Sequence, residues 1–378
     1  MRLERPSFTI GIEEEYFLVD RETRDLVPDM PDSLLRRCEE IVEGQVSPEF
    51  IRSQIEVGTP VARNIKELRS YLGSLRKAVA AVAADYGMAI ISASTHPFAD
   101  WGRQRHTDKE RYNLLAQALQ GVVRRLLICG MHVHVAIEDE DLRIDLMNQV
   151  TYFLPHLLAL STSSPFWQGI DTGLRSYRTS VFRSLPRTGL PEEFSGWSDY
   201  HRHIDVLVEA GVIEDGTRLW WDIRPSSRYP TLEMRSTDIC TNVDDGITLA
   251  ALFQALLSML FRRRLENQRW RTYSPMLISE NIWRAQRYGI SESLIDFGKG
   301  ILVPVPDLVD EIVELVREDA VELGSLEEVE HAKTIIARGT SADQQLRVYH
   351  EALARGADER EALREVVDAL IAETVAGL

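Results

Sequence analysis

Lysine is scarce in this 378-residue sequence: 5 of its 43 basic residues are Lys and 38 are Arg. That composition leaves little amine for lysine-based catalysis and supplies planar guanidinium forks, which suit carboxylate and phosphate. Cysteine is scarcer still. Cys38, Cys129 and Cys240 are far apart, odd in number and without a C-x-x-C pair, which excludes a disulfide framework and a zinc ribbon and predicts reduced thiols in a cytoplasmic protein. The longest apolar run, 247–261, is interrupted by Gln254 and falls short of the ~20 residues a bilayer span needs, and residues 1–6 lack the apolar core of a signal peptide. No membrane role is expected. Net positive charge is missing too, because a formal charge of −16 would repel a polyanion, and so no nucleic-acid partner is expected. Neither G-x-x-x-x-G-K-[ST] nor a G-x-G-x-x-G after a strand occurs, which excludes a Walker NTPase and a dinucleotide fold, and Gly298-Lys299-Gly300 is too short to replace them.

What is present is ample apolar material, 44% of residues, so a large core is expected, and residues 1–378 are read as a single domain, although length alone would also allow two smaller ones. Short alternating segments near 8–19, 52–58, 88–94, 130–137 and 230–236 predict strands. Helical spacing runs through 62–86, with Ile65, Leu68, Leu72, Leu75, Val79 and Val82 on one face, and through 141–160 and 247–268. From roughly 290 to 378 the chain reads as helical, with Gly339 and Gly356 as breaks and Asp358 as an N-cap. Strands and helices alternate without a regular βαβ beat, which predicts an α+β fold on a mostly antiparallel sheet flanked by helices. The stretch 169–200, rich in Gly, Pro and Arg, predicts a long loop able to act as a lid.

Side chains alternate faces along a strand. On that rule Glu13 and Glu15 share a face, as do Gln54 and Glu56, His132 and His134, and Glu233 and Arg235, each pair opposed by apolar neighbours. Glu14 falls on the apolar side, where only an edge or rim position would suit it. One such pair is an ordinary wet strand face, but four of them drawn from Glu, His, Gln and Arg make a list of metal ligands and a phosphate clamp. Two carboxylates ~4 Å apart at an effective dielectric of ~20 repel by ~4 kcal/mol, so a shared hollow would need a cation. Carboxylate-rich sites suit Mg²⁺ or Mn²⁺, whereas zinc would want more His or Cys. Without a P-loop, phosphate clamping falls to Arg235 and to Arg178, Arg183 and Arg187 of the 169–200 stretch.

These segments resemble the glutamate-cysteine ligase type 2 family, also called carboxylate-amine ligases, within the glutamine-synthetase-like superfamily. The blocks GIEEEYFLVD, SQIEVGTP, ISASTHPF, GMHVHVA, SPFWQGIDTGLRSYR, TLEMRSTD and ENIWRAQRYG followed by RGTSADQQ carry the likeness through most of the chain. The resemblance implies a curved, largely antiparallel sheet whose concave face holds Mg²⁺ and the phosphates of ATP. It implies metal binding by Glu13, Glu15, Glu56, His132 and Glu233 and catalysis by Glu233 and Arg235. His134 is assigned to substrate or metal, and Asn281, Arg284, His96 and Arg111 to substrate or nucleotide from their place in matching blocks.

The expected reaction is ATP-dependent joining of a carboxylate, such as that of glutamate, to an amine, such as that of cysteine, through an acyl phosphate. The expected partners are these small molecules, and a homo-oligomer is compatible with the same reading. A rival is a metal-dependent hydrolase or oxygenase built on His132-x-His134 and Glu138, which would need further histidine or carboxylate ligands downstream. A non-catalytic scaffold has no use for carboxylates gathered on one sheet face.

Overall fold

Tertiary order begins with β1 (Ile10–Asp20), the longest strand, in a computed structural model that describes residues 4–378, apart from the side chains of Arg111, Leu115 and Arg124. Its sheet partners are β2 (Val46–Pro48), β3 (Gln54–Gly58), β4 (Met88–Ile91) and β5 (Met131–Ala136). Four two-residue strands follow in a small hairpin and a parallel pair, β6 (Phe166–Trp167) with β7 (Ile170–Asp171) and β8 (Thr188–Gly189) with β9 (Trp220–Trp221). Next, β10 (Ile223–Pro225) and β11 (Thr231–Met234) complete a seven-stranded sheet in the order β10-β11-β5-β1-β3-β2. All its pairings are antiparallel. Along one edge of β1 runs β3; along the other, β5 takes the first half and β4 the second. The five expected strands are therefore present, and β2 and β10, too short to show alternation, extend the sheet at its two ends.

The helices of the first half are α1 (Asp32–Val42), α2 (Ile65–Asp85), α3 (Glu110–Leu119), α4 (Glu140–Val150), α5 (Leu154–Ser161), α6 (Tyr177–Phe182) and α7 (Trp197–Glu209). The continuous helix expected over 141–160 is split by a 3₁₀ turn at Thr151–Phe153, because Pro155 in the first turn of α5 has no N–H to extend the ladder of α4. The long loop expected over 169–200 is likewise replaced by packed pieces, namely α6, β8 and the start of α7, with Arg178, Thr179 and Val181 buried.

The second half contains α8 (Val243–Leu265), capped by the Asn242 side chain, and α9 (Pro275–Tyr288). A hairpin of β12 (Ser293–Asp296) and β13 (Ile301–Pro304), turning at Gly298-Lys299-Gly300, interrupts what the sequence predicts as uniformly helical. Then come α10 (Val305–Leu323), α11 (Leu326–Glu330), α12 (Ala332–Arg338), α13 (Ser341–Ala354) and α14 (Glu359–Thr374). Asp358 does cap α14, in a capping box with Glu361. By length and apolarity α8 could cross a membrane, yet 94% of its most apolar window is buried inside the protein, where it acts as the core helix.

Helices α2 and α8 pack behind the sheet and leave its other face to a cavity. Between sheet and helices lies the feature that the sequence misplaces. Glu14 is fully buried on the helix side, not at a rim, and its two oxygens receive Nε and Nη2 of Arg76 from α2 at 2.8 and 2.6 Å. Tyr16 Oη donates to the same carboxylate at 2.6 Å, and Arg76 also donates to the carbonyls of Cys240 and Thr241 just ahead of α8. Gly246 lets α8 come this close, since a Cβ there would lie 3.4 Å from Glu14 Oε1. One paired charge thus ties β1, α2 and the entry to α8 together.

Candidate active site

Strand register fixes which side chains meet on the open face. In one row across the strands, Arg224 of β10 stands opposite Glu233 of β11, Glu233 opposite His134 of β5, and His134 opposite Gly11 of β1. In the next, His132 stands opposite Glu13, and Glu13 opposite Gly58, while Arg235 continues past β11 with its Nη1 3.4 Å from His132 Nδ1. In the third, Glu15 stands opposite Glu56, and Glu56 opposite Ser47, whose hydroxyl donates to it at 3.0 Å. Groups from residues 11 to 235 therefore share one floor, brought together by antiparallel pairing, with Arg235 one residue past the end of β11. The cavity above them holds about 460 Å³, a volume within the range of small-molecule sites.

Two triads stand out. Ligand atoms of Glu13, His134 and Glu233 lie within 4.8 Å of one another, and so do those of Glu15, Glu49 and Glu56. Their electrostatics differ. Burial opposes ionisation of Glu13, but the hydrogen bond with His132 and the nearby imidazole of His134 outweigh it and hold the carboxyl well below its ordinary range. Burial of Glu233 is likewise outweighed by Arg235 and Arg224, both ion-paired with it. In the second triad no guanidinium among the described residues pairs with Glu15 or Glu56. Burial and the charge of Glu56 push Glu15 up to about 7, and burial with Glu49 and Glu13 raises Glu56 well above the carboxylate range. His132 is pushed down to about 4 by burial and by Arg235, so it is neutral at neutral pH.

This donor set fits divalent cations. The all-carboxylate triad is a set of hard oxygen ligands whose mutual repulsion a cation would relieve. In the other triad His134 Nδ1 is fixed by Thr231 Oγ1 at 3.0 Å, leaving its buried Nε2 without a hydrogen-bond partner, 3.6 Å from Glu13 Oε1. An imidazole held by one nitrogen with the other free is the posture of a metal ligand. The imidazole that joins the triad is thus His134, whereas the sequence reading had favoured His132, whose Nδ1 is 3.1 Å from Glu13 Oε2.

Other expected site residues divide cleanly. Arg178 and Arg235 line the cavity. Arg183, Arg187, Asn281 and Arg284 do not, because each is engaged in holding backbone or a neighbouring charge. Arg183 pairs with Asp222 at 2.9 Å; Arg187 donates to Arg218 O and stacks over Trp220; Asn281 exchanges two hydrogen bonds with Ile295 of β12; and Arg284 donates to Ser293 O at 2.6 Å. His96 is a buried loop brace, accepting from the N–H groups of Phe98 and Ala99 and bonding Arg24 O. The Arg111 side chain lies outside the described residues.

Sequence reasoning missed Arg224 and Glu49. Arg224 carried a weak signal in the alternation Asp222-Ile223-Arg224, cut short by Pro225; Glu49 sits in a turn after Pro48, where no periodicity exists. The expected lid at 169–200 contributes Arg178, Phe182 and Leu185, whereas the cavity is also covered by Lys109, Tyr112 and Leu119 around α3 and by Leu126. That cover is joined to the Glu49 turn: Thr107 N–H and Oγ1 donate to the carbonyls of Phe50 and Glu49, and His106 stacks on Phe50.

The hydrolase or oxygenase rival needed more ligands near the H-x-H strand. Among the described residues the cavity is lined by no histidine beyond His132 and His134; His156 is buried in α5, His201 and His203 lie on α7, and Glu138 accepts from Ser7 N–H.

A protein of Rhodospirillum rubrum that bears the provisional name glutamate–cysteine ligase 2 is 59% identical over 380 residues, spanning 100% of this chain and 98% of its own length. One of Jannaschia sp. with the same provisional name is 53% identical over 364 residues, 96% of each chain. Among solved structures, the glutamate–cysteine ligase of Francisella tularensis in complex with AMP matches with a TM-score of 0.69 at 13% identity, covering 100% of this chain and 90% of that one, which shows a shared fold. The model of Glutamate-cysteine ligase family 2 matches residues 9–369, and with relatives this similar along their whole length the chain belongs to that family.

Proposed function

We propose that this chain is a carboxylate–amine ligase that uses ATP to convert a carboxylate, such as the γ-carboxylate of glutamate, into an acyl phosphate, from which an amine displaces phosphate to form an amide. The observation that carries the reading is the pairing, on one sheet face, of two ligand triads with the guanidinium groups of Arg178, Arg224 and Arg235. Family membership and the fold shared with a ligase solved with AMP support it.

Glu13, His134 and Glu233 would hold one divalent cation, and Glu15, Glu49 and Glu56 another. Bound there, Mg²⁺ or Mn²⁺ would neutralise charge on the transferring phosphoryl group. In the first step a carboxylate oxygen bonds to the γ-phosphorus and the bond to ADP breaks. In the second the amine nitrogen bonds to the acyl carbon, loses a proton and expels phosphate. Arg235, braced by Glu233, presents a fixed donor fork to oxyanions, which is where preorganised charge contributes most to such a reaction. Neutral His132 keeps Glu13 in place without adding charge. Tyr112, Leu119 and Leu126 give the cavity an apolar cover that would keep water from an acyl phosphate.

The test is ADP formation by the purified chain with ATP, Mg²⁺ and glutamate across a panel of amino acids and amines. Amine-dependent ADP release supports the proposal and names the amine. Tightly bound zinc or iron together with turnover that ignores ATP would overturn it in favour of a metal hydrolase or oxygenase.

A further inference from the structure

One buried guanidinium lining the cavity is in no ion pair among the described residues. Arg224 and Arg235 both pair with Glu233, Arg218 pairs with Glu214, and Arg228 is exposed to solvent. Arg178 is only 3% exposed, forms no ion pair among the described residues, and its buried Nε has no hydrogen-bond partner. Its Nη2 makes a single 3.3 Å bond to Arg235 O, and its guanidinium lies 5.3 Å from the centre of the Phe182 ring. Asp238, Glu15 and Asp222 attract it without forming an ion pair, and burial outweighs them, so folding has placed this cation where its own hydrogen-bonding groups are left unsatisfied.

The placement is built. Arg178 N–H donates to Ser164 Oγ at 3.1 Å, and that hydroxyl in turn donates to buried Asp238 at 2.7 Å, which fixes the start of α6. From there the side chain crosses Gly130, the residue before β5. A Cβ at position 130 would lie 2.6 Å from Arg178 Nη2 and 3.3 Å from its Cζ and Nε. Any other residue would push the guanidinium away, so the absence of a side chain at Gly130 is what lets Arg178 reach the floor. Glu15 accepts from Gly130 N–H at 2.8 Å with one oxygen and attracts the guanidinium without forming an ion pair with it.

We infer that Arg178, seated on Gly130, is the group that receives an oxyanion of a substrate, either a phosphoryl oxygen of the nucleotide or the carboxylate to be activated. The inference rests on the ligase reading. An anionic substrate entering a cavity lined by Glu13, Glu15, Glu49, Glu56 and Glu233 meets repulsion, and Arg178 is the buried guanidinium there that is in no ion pair among the described residues, whereas Arg228 is exposed to solvent.

The experiment compares R178Q, R178K, G130A and the G130A/R178Q double variant in the ADP-release assay, with glutamate as the acid, and measures thermal midpoints of each without substrate. R178Q and G130A should each raise KM for the same substrate, ATP or glutamate, roughly ten- to hundredfold, the size of one charge-assisted hydrogen bond. Which KM moves identifies the oxyanion. The double variant should be no worse than R178Q alone, because both changes remove one contact, and R178K should recover only part of the loss. R178Q should melt at or above wild type, since it removes an unpaired buried charge. Unchanged KM values for both substrates in R178Q, additive losses in the double variant, or a large fall in the R178Q midpoint with normal KM would overturn the inference. A wild-type chain that neither binds nor turns over ATP would instead sink the ligase reading.

Discussion

Replacing Arg76 with Met should be among the most damaging single changes outside the cavity. The substitution removes two hydrogen bonds to Glu14 and leaves that carboxylate fully buried with only the Tyr16 hydroxyl as donor. Breaking a buried pair from one side costs about 3–5 kcal/mol, because the remaining charge has lost its compensation. The carbonyls also lose donors, but unequally: Cys240 O keeps the hydroxyl of Ser92 at 2.9 Å, whereas Thr241 O loses the Nη1 donor and adds on the order of 1 kcal/mol. A fall in thermal midpoint of about 5–10 °C is expected.

The double variant E14L/R76M decides the cause. If the loss comes from a stranded charge, removing both partners should restore most of the stability, since apolar groups of similar volume often replace a buried ion pair at little cost. If the guanidinium acted only as a packing element, the double variant would be at least as unstable as R76M. Thermal and urea melts of wild type, E14L, R76M and the double variant close a cycle, and a coupling of less than about 1 kcal/mol would refute the account.

Three further outcomes follow from the site. E233Q should lower kcat for ADP release by roughly 10²-fold or more while circular dichroism stays native, because it weakens one ligand triad and the brace of Arg235 together; full activity would remove Glu233 from the machinery. Mg²⁺ affinity, followed by calorimetry in the absence of nucleotide, should rise with pH up to about pH 7, by as much as tenfold per pH unit for each proton displaced. The sign follows because Glu15, pushed up to about 7, is protonated below that pH and must release its proton to bind a cation; E15Q should flatten the slope. E49Q should weaken Mg²⁺ binding while leaving the Glu13, His134 and Glu233 triad intact, so that one of two binding events survives; loss of both events would contradict two separate triads.

The parts of the floor that were legible in the sequence share one property: they sit on strands of at least four residues, where period-two alternation has room to show. Glu13, Glu15, Glu56, His132, His134 and Glu233 were all found by that rule, and register then makes them neighbours, while Arg235, found by the same alternation, follows one residue past the end of β11. Arg224 and Glu49 were not, because β10 is three residues long and Glu49 lies in a turn. The arginines of 169–200 show the opposite failure. Their composition suggested a clamp, but composition cannot say which guanidinium is already committed, and Arg183 and Arg187 are held by Asp222 and by Arg218 O.

Glu14 explains why the alternation rule needs a physical exception, and why the exception belongs beneath this site. A floor carrying Glu13, Glu15 and Glu56 on one face is costly to ionise, because burial first and neighbouring carboxylates second raise the carboxyls of Glu15 and Glu56, and a cation bound there would draw those charges together. Apolar packing alone resists shear between a strand and its helices weakly, because it has no preferred direction. A bidentate guanidinium–carboxylate pair does have one. Placed between Glu13 and Glu15 in sequence but facing the opposite way, Glu14 locks β1 to α2 and to the entry of α8 at the point where the floor is under greatest electrostatic load. It follows that R76M should damage cation binding as well as stability. E14L/R76M, with its stability restored, should still bind Mg²⁺ more weakly than wild type, because the strand is then held by packing alone. Equal Mg²⁺ affinity in the double variant and wild type would show that the pair stabilises the fold without positioning the floor.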